Sequence, residues 1–143
     1  MPQQPNLQRF LDAQQRDYAT ALAEIRGGRK RSHWMWYIFP QIQGLGYSET
    51  ARFYAIQSQQ EAEAYQQHPV LGPRLREISE ALLTLESLDA TRIMGSPDDV
   101  KLKSSMTLFA ALKDTNPVFQ RVLDKFFGGE QDGKTLQILR QNP

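Results

Sequence analysis

The sequence predicts an all-α fold: one domain of seven or eight helices spanning residues 1–143, with an ordered core over about 6–140. Three observations predict it. Apolar residues recur at helical spacing along most of the chain. Helix start and stop residues punctuate it at short intervals. No convincing run of four or more residues alternates apolar and polar in the manner of a half-buried strand. The one β-prone stretch is 35–39, where a very short strand is the alternative to a helix.

The elements follow in order. Leu7, Phe10, Leu11, Tyr18, Leu22 and Ile25 stripe a first helix over 6–26, and Gly27-Gly28 ends it. Ser32 is placed to cap a second, short helix. That helix must stop near Pro40, because proline has no N–H to give and clashes with the preceding turn. Residues 41–47 hold two glycines and read as a loop. Ser48 caps a helix through Tyr54, and Ser58 with Glu61 has capping-box spacing for a helix through Tyr65. His68-Pro69 breaks that helix. Leu71, Leu75, Ile78, Leu82 and Leu85 stripe a long helix after it, and Asp89 caps a short turn ending at Gly95. Ser96-Pro97-Asp98-Asp99 combines a cap residue, a proline at the first helical position and acids in the first turn, so a helix runs from there to about Lys113. Asn116-Pro117 repeats the signal for a helix through Phe127, stopped by Gly128-Gly129, and Asp132 caps a last helix over 133–140.

A chain of 143 residues buries roughly two-thirds of its unfolded surface, enough for a core without covalent staples. It contains no cysteine, which removes disulfides, thiol catalysis and thiolate metal sites. The two histidines stand far apart in sequence without an acid cluster, so neither a metal nor a cofactor is expected. Seventeen basic and sixteen acidic residues nearly cancel, which argues against nucleic acid as the partner. The longest apolar run is about seven residues, 34–40, against the roughly 20 that span a bilayer. The N-terminus lacks the basic-then-apolar pattern of a leader. The expectation is a cytoplasmic protein without a membrane partner.

Two segments carry unusual chemistry. In 31–41 both tryptophans, His33, Tyr37 and Phe39 fall within eleven residues, beside Arg31 and Gln41. Aromatic faces stack on planar ligands, and Trp and Tyr each add a polar handle. At helical spacing His33 shares a face with Trp36 and Tyr37, and Trp34 with Ile38, so one face can anchor the core while the other lines a pocket. The loop that follows brings Gly44 and Gly46 to a helix N-terminus, where backbone N–H groups bind anions. In the second segment Asp98, Lys101, Ser104 and Ser105 share one helical stripe. The expected ligand set is therefore Arg31, His33, Trp34, Trp36, Tyr37, Gln41, Gly44, Gly46, Lys101, Ser104 and Ser105, with Glu49 or Asp98 as the carboxylate for any acid–base step.

Several stretches together resemble a known family. They are 32–41, Gly44-Leu45-Gly46, Glu61-Ala62 with His68-Pro69-Val70-Leu71-Gly72-Pro73-Arg74-Leu75, then 101–109, and Asp132-Gly133-Lys134-Thr135-Leu136. Across nearly the whole chain they resemble the domain of unknown function 1810 family (DUF1810), which implies an all-helical fold and no established activity. Some members carry the label calpastatin, but this chain has none of the acidic repeats of that disordered inhibitor. A weaker resemblance is to the NADAR group, which acts on ADP-ribose-type N-glycosides. Phe39-Pro40, Tyr47-Ser48-Glu49 and 106–109 occupy similar places, but no histidine follows Glu49 to complete that group's Glu-His pair.

Three functions fit these residues. The first is a domain that binds, and as an enzyme acts on, a small nucleotide- or ADP-ribose-like molecule. The second is a protein-interaction module that uses the aromatic segment 33–39. The third is single-stranded RNA binding through the cations of 26–31 and the two tryptophans.

Overall fold

In a computed structural model the described residues, 6–143, form nine α-helices and one isolated parallel bridge between Ile42 and Ile56. Residues 1–5, part of the N-terminus in which no leader pattern is expected, lie outside the described residues. The helices are α1 (Gln8–Arg26), α2 (Met35–Ile38), α3 (Glu49–Tyr54), α4 (Gln59–Gln67), α5 (Leu71–Thr84), α6 (Ala90–Met94), α7 (Asp98–Ala110), α8 (Val118–Phe127) and α9 (Gly133–Gln141). The count passes the expected seven or eight because the turn after Asp89 closes into a helix of its own.

Side-chain caps set four of the nine helix starts. The Ser48 hydroxyl accepts from Ala51 N–H at 3.1 Å and Ser58 from Glu61 N–H at 3.1 Å. Asp89 accepts from Arg92 N–H and Asp132 from Thr135 N–H, both at 3.2 Å, and Gly128 ends α8 in the left-handed conformation. Two expected caps fail. Ser32 gives its hydroxyl to Glu24 at 2.6 Å, which leaves Trp34 at the N-cap of α2 with no side-chain cap bond. Ser96 does not cap α7, which starts at Asp98 with Pro97 in the cap position. The same helix ends at Ala110, short of the expected Lys113, where the Thr115 hydroxyl turns back to donate to the Phe109 carbonyl at 2.6 Å. The strand alternative over 35–39 is not realised. Its residues make one helical turn, and strand-like pairing appears instead at Ile42.

The long helices pack on one another: α1 against α5, α5 against α8, α8 against α7, and α4 against α5. Their apolar faces meet in one cluster that includes Phe10, Tyr65, Leu75, Ile78, Met106, Phe109, Phe119 and Val122. An aromatic column crosses it from α1 to α8. Ring centroids step 5.0 Å from Phe10 to Tyr65, 5.4 Å on to Phe109 and 5.7 Å on to Phe119. Buried Gln14 is bonded in this interior: its amide donates at 2.8 Å both to the Tyr37 carbonyl and to the Tyr65 hydroxyl. The short helices α2, α3, α6 and α9 lie around this core, and they decide what reaches the surface. No helix among the described residues is long and apolar enough to cross a membrane.

Candidate functional site

The segment 31–41 is mostly core. Trp34, Met35, Tyr37, Ile38 and Phe39 are buried. Trp34 Nε1 donates to Glu24 Oε1 at 2.9 Å, and the Tyr37 hydroxyl donates to Asp17. Burial, and then the hydrogen bond to Asp17, push the Tyr37 phenol up to about 12, so it stays a neutral donor. Neither ring faces solvent broadly enough to stack on a ligand. Arg31 and His33 lie at the exposed start of the segment. Trp36 is different: it is only partly buried and reaches a cleft on the other side of α2.

That cleft encloses about 520 Å³, within the roughly 300–1,000 Å³ of small-molecule sites. Three parts of the chain build it. The loop after α2 contributes Gln41, Leu45, Gly46 and Tyr47; the first turns of α7 contribute Val100, Lys101 and Ser104; and the start of α9 contributes Asp132 and Lys134. The loop holds its shape through two backbone bonds of 2.8 Å to the Ile42–Ile56 bridge, from Gln43 N–H to the Ile56 carbonyl and from Ile56 N–H to the Gln41 carbonyl. Gly46 is required here by close approach, since a Cβ would stand 2.7 Å from that of Ala51 on α3. Gly44 takes a φ of +92° and lines an adjoining hollow of about 360 Å³ rather than the cleft.

Lys101 and Asp132 are held in place. Lys101 Nζ lies 5.3 Å from the centre of the Trp36 ring and 3.7 Å from Asp98 Oδ1. Asp98 Oδ2 is in turn 2.9 Å from Lys30 Nζ, whose side chain is only 7% exposed and lies 4.9 Å from the Trp34 ring. A row thus runs from the core to the cleft in the order Trp34, Lys30, Asp98, Lys101, Trp36, with Asp98 between the two ammonium groups. On the opposite wall Asp132 Oδ2 accepts from the Ser104 hydroxyl at 3.1 Å, from Thr135 N–H at 3.2 Å and from the Thr135 hydroxyl. The Asp132 N–H donates to Thr107 Oγ1 at 2.9 Å. Lys134 stands exposed beside it.

Of the residues singled out in the sequence, the structure brings Trp36, Gln41, Gly46, Lys101 and Ser104 to the cleft. Arg31, His33, Trp34, Tyr37 and Gly44 do not line it. Ser105 is fully buried, and its hydroxyl has no partner. Neither expected carboxylate faces the cleft. Glu49 is exposed in the first turn of α3, and Asp98 is committed to Lys30 and Lys101 behind the wall. The carboxylate that does face it is Asp132, whose sequence signal was that of a helix cap. Lys134 and Tyr47 entered only as parts of the stretches that carry the family resemblances, not as site candidates.

Two other clefts of similar size differ in chemistry. One of about 500 Å³, between α4, α5 and the turn after α7, sets Glu63 and Asp114 beside Arg76 and Lys113 and so offers no net charge. One of about 600 Å³ is walled by Leu88, Val100, Phe126 and Phe127. Among the described residues no cluster of three or more His, Asp or Glu side chains is placed to hold a metal ion.

The chain matches the family model described as "Protein of unknown function (DUF1810)" over residues 4–139. It is also similar to the crystal structure of the conserved hypothetical protein Rv1873 from Mycobacterium tuberculosis. The two are 47% identical over 94% of this chain and 96% of that one, with a TM-score of 0.91. No curated protein matches.

Proposed function

The chain belongs to the DUF1810 family of proteins of unknown function, and from that premise we propose that it binds a small anionic molecule with a planar ring, of nucleotide type, in the cleft between α2, α7 and α9. One observation carries the reading: Lys101 and Lys134 meet Trp36 in a single concave space onto which the N-terminal turns of α7 and α9 open. The two ammonium groups supply the positive charge there, because the N-terminal turns of α7 and α9 are already matched by Asp98, Asp99 and Asp132. Trp36 and Tyr47 supply the aromatic surface, and Leu45 and Val100 the apolar rim.

The other readings have less to stand on. The aromatic segment 33–39 is largely interior, so it offers no flat patch to a protein partner. An RNA platform loses Trp34 to the core and Lys30 to its ion pair.

A thermal-shift screen of the purified protein against nucleoside mono- and diphosphates and NAD tests the proposal. A ligand at 100 times its Kd adds about 2.7 kcal/mol, several degrees for a domain of this size. Lys101→Ala and Lys134→Ala both abolish the shift; Lys134 is a surface group, so its variant keeps an unliganded Tm within about 2 °C of the parent, while the half-buried Lys101 also gives up its contacts to Asp98 and Trp36. No shift with any compound, or a shift that survives both substitutions, overturns it.

A further inference from the structure

Asp132 is more than a helix cap. Its Oδ2 is saturated by Ser104 and by the backbone and side chain of Thr135. Its Oδ1 takes no hydrogen bond from any described residue, and the side chain lines the cleft together with Lys101 and Lys134. An anion-binding cleft gains nothing from a carboxylate on its wall, because the like charge repels the ligand it is meant to hold. A carboxylate can only accept hydrogen bonds, so it is favourable there if the ligand also presents donors. Nor is its position an accident of a flexible side chain. Three donors on α7 and α9 orient it, and Thr107 holds its backbone. A group fixed in this way contributes its full strength without an ordering cost at binding.

We infer that the cleft takes a phosphorylated sugar unit, the ribose phosphate of a nucleotide, with the phosphate on Lys101 and Lys134 and the ribose hydroxyls donating to Asp132 Oδ1. The inference rests on the anion-binding reading above and narrows it. Lysine is suited to a phosphate as a compact point charge, while a single free carboxylate oxygen has room for two hydroxyl donors. Ser104, already giving its proton to Asp132 Oδ2, ties the two walls together, so the hydroxyl and phosphate subsites keep a constant separation.

Isothermal titration of the full chain with adenosine 5′-monophosphate, its 2′,3′-dideoxy analogue and inorganic phosphate tests it. The expected result is that the ribonucleotide binds about tenfold or more tighter than the dideoxy compound, the worth of a charge-assisted hydroxyl bond. In Asp132→Asn, a substitution that preserves a good N-cap for α9, that preference collapses while inorganic phosphate binds as well as before or better. The comparison of ligands on the parent protein stands even where the variant folds poorly. Equal affinity for the two nucleotides, or a preference that persists in Asp132→Asn, refutes the hydroxyl assignment and leaves the anion site standing. Binding of none of the three refutes both.

Discussion

Replacing Glu24 by glutamine should cost about 2 kcal/mol at neutral pH and almost nothing at low pH. Glu24 lies near the end of α1 and gathers the chain that follows. Oε1 accepts from Arg31 N–H at 2.8 Å, Ser32 N–H at 2.9 Å and Trp34 Nε1 at 2.9 Å, while Oε2 accepts from the Ser32 hydroxyl. Burial pushes the carboxyl up, but the bonds from Ser32, Arg31 and Trp34 outweigh it and hold the group at about 2, against an ordinary value of 4.5. That difference corresponds to at most about 3 kcal/mol at ~1.36 kcal/mol per pH unit. The carboxylate is partly exposed to solvent, which reduces the expectation to about 2 kcal/mol. Glutamine keeps the shape and one acceptor oxygen but loses the charge, and its amide nitrogen, a donor, takes the place of the oxygen that accepts from the Ser32 hydroxyl. The folded-state value is the depressed one, so the contribution is complete above about 4.5 and is lost as pH falls towards about 2. Urea unfolding followed by tryptophan fluorescence measures it, with the slope unchanged between variants. At pH 7 Glu24→Gln should melt roughly 4–8 °C lower, and at pH 3 the gap should be less than half as large. A gap of the same size at both pH values, or none at pH 7, refutes the claim that a charged Glu24 anchors Trp34.

Two further predictions concern close packing and buried charge. A Cβ at Gly72 would stand 2.1 Å from the Gln66 carbonyl oxygen, so Gly72→Ala must push α4 away from α5. It should lose about 3 kcal/mol or more, or fail to fold, and a Tm within about 3 °C of the parent would contradict that contact. Asp98→Asn leaves Lys30 without its countercharge. Breaking a buried pair costs about 3–5 kcal/mol, and the low end applies because Lys30 keeps the Ser32 carbonyl at 2.5 Å. Adding Lys30→Met to that variant should recover part of the loss in a double-mutant cycle, and strict additivity would mean that the pair does not couple.

Four helix starts were legible because a cap is local chemistry. Ser48, Ser58, Asp89 and Asp132 each bond an N–H three residues on, within reach of the residue's own side chain. Ser32 failed because something outside the local window competed: Glu24, eight residues earlier, takes its hydroxyl, and the sequence contains nothing to announce it. The aromatic density of 31–41 marked the right neighbourhood, but density cannot say which ring turns inward. Trp34 and Trp36 are two residues apart, so one helical turn sends them to different sides of α2, and the position of α1 decides that Trp34 is the buried one.

The sequence by itself determined that the chain is helical, its approximate helix boundaries and the family to which it belongs, because propensity, capping and apolar period act over a few residues. Only the tertiary structure decided what shares the cleft. Asp132 meets Ser104 across 28 positions of sequence, and Lys101 meets Trp36 through the packing of separate helices. Contacts of that kind depend on how whole helices pack together, and no local pattern encodes them.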